Sequence, residues 1–98
     1  MANYTFAAPL WRWENRRDNW FFVTLPAEVS ADLEGVPRRP QGFDGVKVMV
    51  TLGGSTWRTA AFQDSTKNGL FVLPIKKSVR VAEAIADDAT VQVTVRLL

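Results

Sequence analysis

The chain contains no cysteine and no histidine. Without thiols there is no disulfide framework. Zinc sites built from thiolate or imidazole are excluded, and so are Ser-His and Cys-His nucleophile pairs. Nothing in the chain is intrinsically suited to change charge near neutral pH. No apolar run approaches the roughly 20 residues needed to span a bilayer. Asn3 and Thr5 interrupt the first residues and no basic segment precedes them, so no signal peptide is read and the expected location is cytoplasmic. Charge of one sign is scarce too: 12 basic and 10 acidic residues leave +2, short of the dense positive charge that argues for nucleic acid by itself.

What the chain does have is apolar bulk in short, punctuated stretches. Its 98 residues form one domain, 1–98, long enough to bury a core without staples. Four Trp and six Phe are many for this length, and aromatics are the main source of buried area in a small core. Residues 4–10 alternate, with Tyr4, Phe6 and Ala8 on one face, and Pro9 marks a bulge or an edge. "ENRRDN" (14–19) reads as a polar turn and "WFFVTLP" (20–26) as a strand. Val29 and Leu33, at i and i+4, predict a short helix after Pro26, closed near Gly35. "VPRRPQGFDG" (36–45) reads as a loop. "VKVMVTL" (46–52) alternates with its Val residues and Leu52 inward, Gly53-Gly54 signals a hairpin, and 56–62 is the return strand. "QDSTKNG" (63–69) is a turn and 70–73 a strand. Pro74 is expected to open a helix through about Ala86, and "TVQVTVRL" (90–97) is the last strand. Phe22, Val48, Val50, Val72, Val93 and Val95 are expected to face inward.

Two stretches repeat one plan. "FFVTLPAEVSADL" (21–33) and "GLFVLPIKKSVRV" (69–81) align on Leu-Pro, each a strand turning into a short amphipathic helix and followed by an alternating Val strand. Proline suits a first helical turn because it has no N–H to leave unsatisfied, and the leucine before it is pushed toward extended geometry. Short strands with few long helices favour closure, which removes exposed edges. The expected fold is therefore mainly β: a small closed double-split β-barrel of two pseudo-symmetric strand-helix-strand halves with two short helices.

The stretch "LPIKKSVRVAEAIADDATVQVTV" (73–95) resembles the swapped-hairpin half of AbrB- and MazE-type proteins. "WFFVTLP" (20–26), "VKVMVTLGGSTWRTA" (46–60), "GLFVLPIKKSVR" (69–80) and "VQVTV" (91–95) together resemble a bacterial domain-of-unknown-function family. That family is built on the double-split β-barrel and is sometimes joined to a YdeI-type domain. The likeness covers nearly the whole chain and implies the fold; its AbrB-type side implies DNA binding. Such families place Leu-Gly and then Gly-Asp before the last strand, where this chain has Ala84-Ile85-Ala86-Asp87-Asp88-Ala89, which implies a different turn there.

The candidate site residues are basic. Lys76, Lys77 and Arg80 fall at the start of the second helix, where added positive charge is locally unfavourable and an anion would be welcome. Ile75 and Val79 should turn inward and leave the three cations exposed. The simpler alternative is solvation, or pairing with Glu83 and Asp87. Arg12, Arg16 and Arg17 flank Trp11, Trp13 and Trp20, an interleaving that can hold single-stranded nucleic acid, or that places Trp in the core beneath a decorated hairpin. Arg38 and Arg39 lie in the long Pro-rich loop, where function often sits. Asp87 and Asp88 are adjacent, hence poorly placed for paired-carboxylate catalysis. They are read as turn caps. No catalytic residue, no metal ligand and no cofactor is assigned.

Three readings follow. The first is a non-catalytic binding domain, a monomer or weak dimer away from membranes, that presents a basic edge to an anionic ligand or partner. The second is a nucleic-acid-binding regulator of AbrB-like type. The third is a small-molecule enzyme that works without His or Cys.

Overall fold

The computed structural model describes residues 3–13, 20–37 and 45–98. In chain order these form β1 (Asn3–Pro9), β2 (Trp11–Arg12), β3 (Phe21–Thr24), α1 (Ala27–Glu34), β4 (Val46–Leu52), β5 (Ser55–Gln63), β6 (Phe71–Pro74), α2 (Lys77–Ala82) and β7 (Thr90–Leu97), with a short 3-10 turn over Ser65–Lys67. The strands make one antiparallel sheet in the order β1-β7-β4-β5-β6-β3-β2. Its two outermost members, β1 and β2, are consecutive in the chain and separated only by Leu10. The sheet therefore curls into a half-barrel. Among the described residues no ladder joins β1 to β2, so it is an open, curled sheet rather than the closed barrel expected from the sequence.

Alternation decides which side is core. Val46, Val48, Val50 and Leu52 of β4 and Val91, Val93 and Val95 of β7 are buried in one cluster with Phe21, Val23, Leu25, Phe71 and Leu73. Their intervening neighbours, such as Lys47 and Gln92, are exposed, as a period of two requires. Phe22 and Val72 are also buried but lie outside that cluster. They sit on the opposite, outer face, which corrects the inward expectation for both. In "FFV" all three side chains are apolar, so the run does not reveal its parity.

The repeat is real, but its register differs from the Leu-Pro alignment. Leu25 donates its N–H to the Phe71 carbonyl at 2.8 Å, and Ile75 donates to the Phe21 carbonyl at 2.9 Å. These bonds are related by a shift from Phe21 to Phe71 and from Leu25 to Ile75. Ser30 Oγ donates to the Leu25 carbonyl and Arg80 Nε to the Ile75 carbonyl, in the same relation. β3 pairs with β6, where Val23 faces its equivalent Leu73, and β4 pairs with β7, where Val50 faces Val95. The counterpart of Pro26, which caps α1, is thus Lys76, which caps α2. Pro74 does not open the helix. It ends β6 opposite Phe22, because an extended strand tolerates its fixed φ as well as a helix does.

α2 is consequently short and stops at Ala82 rather than near Ala86. Ala84 takes a left-handed φ of 52°. Ile85 N–H bonds the Arg80 carbonyl and Ala84 N–H bonds the Val81 carbonyl. That is the helix-ending motif normally closed by glycine, built here with alanine. The left-handed conformation costs a non-glycine residue about 1–2 kcal/mol, and glycine's extra freedom in the unfolded chain returns about 0.4–1 kcal/mol of that. Ala84→Gly should therefore raise stability by about 0.5–1 kcal/mol in urea melts. A loss of stability would show that the turn is relaxed as it stands.

Candidate functional site

The register places the three cations of the second helix around one groove. Ile75, nearly fully buried, ties the chain to β3 through its N–H, so the residues that follow emerge at the rim of the sheet. Lys76 caps α2 and Lys77 is its first residue; both are exposed. Val79 turns inward as expected. Arg80 corrects the expectation of exposure: it is half-buried. Its Nε donates to the Ile75 carbonyl at 3.2 Å, and its guanidinium lies 4.1 Å from the centre of the Phe21 ring. Lys76 Nζ lies 6.0 Å from the Trp57 ring centre.

Lys76, Lys77 and Arg80 line a groove of about 450 Å³ together with Phe21, Pro74, Ile75 and Trp20. Phe21 and the carbonyl of Ile75 hold Arg80 in place, so its charge is oriented by the fold. The lysines are free to reach. With only two turns, α2 adds little dipole, and the attraction of the groove for anions comes from the side chains.

Glu83 is not the lysines' partner. Its Oε2 accepts the Ser55 hydroxyl at 2.7 Å and its Oε1 the Gly54 N–H at 3.1 Å, so it clasps the β4–β5 hairpin. Gly53 holds φ +58°, as the first residue of a tight hairpin turn does, and a Cβ there would strike Glu83 Oε1. The Ser55 and Gly54 hydrogen bonds hold the Glu83 carboxyl below the usual carboxylate range. A lowered folded pKa gives stability that is present above the unfolded value and lost as pH falls through the folded one. Glu83→Gln should therefore melt below the unaltered chain at pH 7, with the gap closing in acid. A gap that does not depend on pH would show that the charge is irrelevant to the clasp. The Tyr4 hydroxyl donates to Asp32 Oδ2 at 2.8 Å, which raises the Tyr4 pKa.

The second group of candidates divides. Arg12 is exposed on β2. Arg16, Arg17, Arg38 and Arg39 lie outside the described residues. Trp11, Trp13 and Trp20 are not core: Trp11 and Trp13 stack at 6.0 Å, and all three pack against Phe22 on the outer face of the sheet. The Trp that does enter the core is Trp57. Asp64, read only as a turn residue, is buried and caps the 3-10 turn by accepting from the Thr66 N–H and hydroxyl. Its sequence signal is the Asp-x-Thr spacing of a side-chain-capped turn. Among the described residues no cluster of three or more potential metal ligands is present.

Fold and groove define a class: a small, curled antiparallel β domain with three cations gathered beside aromatic side chains. The chain belongs to the family described as Domain of unknown function (DUF1905), whose model matches residues 6–95. A comparison with curated proteins finds no match.

Proposed function

We propose that this is a non-catalytic binding domain whose groove receives an anionic, phosphate- or carboxylate-bearing ligand. The observation that carries this reading is the convergence of Lys76, Lys77 and Arg80 on one groove with a partly apolar lining. Among the described residues the one acid a turn away, Glu83, is committed to the hairpin. Cations beside an apolar, partly dehydrated lining attract an anion more strongly than cations in open water. Binding rather than catalysis is favoured because the chain has no histidine or cysteine to move a proton or attack a substrate near neutral pH. The reading is of a domain working in the cytoplasm as a monomer or weak dimer.

Calorimetric titration with pyrophosphate and with a short single-stranded oligonucleotide, at several salt concentrations, tests it. Pyrophosphate should bind at low salt and weaken as ionic strength rises. A nucleic-acid regulator would instead favour the oligonucleotide, with log affinity falling by about 0.7 per phosphate contacted for each log unit of salt. No binding of either anion at low salt would sink the proposal.

A further inference from the structure

On the outer face of the sheet, beyond Trp20, lies a second cleft of about 500 Å³. Phe22 is its floor. Trp13 stands against that floor at 5.2 Å with the rings tilted 54°, and Trp20 at 6.2 Å tilted 34°. Phe62 and Val72 complete the apolar lining. Trp20 is 41% exposed, so it covers the cleft without sealing it.

Among the described residues one charged group lines this cleft. Asp64 is only 8% exposed. Its Oδ1 is taken by the Thr66 N–H at 2.9 Å and the Thr66 hydroxyl at 2.7 Å. Its Oδ2 accepts from no described residue. Among the described residues no sealed side-chain polar atom is left without a partner, so this oxygen is not sealed off, and Asp64 is one of the residues that line the cleft.

We propose that the cleft is a receptor for an organic cation, specifically a methylated or quaternary ammonium head group. Aromatic faces carry negative potential and attract cations, and a largely buried carboxylate adds a full negative charge to the same space. Both features repel the anion assigned to the neighbouring groove, so the two sites take opposite charges on either side of Trp20. The ring stack already holds one cation: Lys67 Nζ lies 4.3 Å from the centre of the Trp11 ring, which stacks on both Trp13 and Phe22. A methylated ammonium is less strongly hydrated than that of lysine and enters an aromatic cleft at lower desolvation cost.

The test uses the full chain and two probes of the same shape. Choline carries the charge; 3,3-dimethylbutan-1-ol replaces its nitrogen with carbon. Tryptophan fluorescence should report choline binding at least about tenfold tighter than the neutral isostere. Asp64→Asn keeps an oxygen for the Thr66 cap and should weaken choline binding about tenfold while the circular dichroism spectrum is unchanged. Trp20→Leu, at an exposed position, should weaken it as well. A peptide bearing trimethyl-lysine, run beside its unmodified form, separates a side-chain source of the head group from a free one, and tighter binding of either methylated probe supports the chemistry. Equal binding of choline and its neutral isostere would overturn the proposal. So would binding of neutral sugars in preference to choline, or no response to any probe. Pyrophosphate binding is read separately, so failure here leaves the anion groove standing.

Discussion

Phe71→Ala should remove about 3–5 kcal/mol of stability, the range for deleting a buried phenylalanine. Phe71 is 0% exposed and belongs to the main core cluster. It lies where three elements meet: opposite Gln63 of β5, beneath the Leu25 N–H that it accepts, and with its own N–H donated to Ser30 Oγ at 3.0 Å. The main-chain bonds survive the substitution, so the loss comes from lost contacts and the cavity left behind. Small domains hold only about 5–15 kcal/mol in all, and a large fraction of the variant should be unfolded at physiological temperature. Urea melts measure this directly. A loss below about 1.5 kcal/mol would mean that the sheet collapses into the space, and that the core is softer than its burial implies.

The second large effect is on binding. Changing Lys76 and Lys77 together to Glu replaces two attractions with two repulsions. At about 4 Å in water each unit-charge interaction is worth about 1 kcal/mol, and each 1.4 kcal/mol is tenfold in affinity. After screening by physiological salt, pyrophosphate affinity should fall about a hundredfold. Stability should hold, because α2 is too short for charge at its start to matter much. Both lysines are exposed, and the contact given up at the core is the 6.0 Å approach of Lys76 Nζ to the Trp57 ring. A collapse in stability would identify them as structural partners and remove them from the site.

Much of this architecture is legible in the residues themselves. The alternation in "VKVMVTL" and "TVQVTVRL" locates β4 and β7 and their buried faces, and Gly53-Gly54 marks the hairpin between β4 and β5. Leu-Pro marks the repeat, but the ladder bonds set its register two residues away. A proline is equally at home ending a strand and starting a helix, and only the ladder bonds of Leu25 and Ile75 separate the two. The early end of α2 was invisible because Ala84 adopts a conformation its residue type disfavours. Lys76 and Lys77 were legible as exposed cations. Arg80 is only partly legible, since nothing in its spacing reveals the Phe21 ring beneath it. The Glu83 clasp joins residues far apart in sequence, and no local pattern announces such a contact. The aromatic cleft was masked for a related reason: Trp next to Arg reads equally as core or as platform until the face of the sheet is known.

Amide and indole chemical-shift mapping of the isotopically labelled chain, titrated with pyrophosphate at low salt, tests the anion groove most directly. The changes should concentrate on the amides of Lys76 and Lys77, the Arg80 Nε and the Trp20 indole, and saturate along one binding curve. Changes that never saturate, or that centre away from Lys76, Lys77 and Arg80, would contradict it.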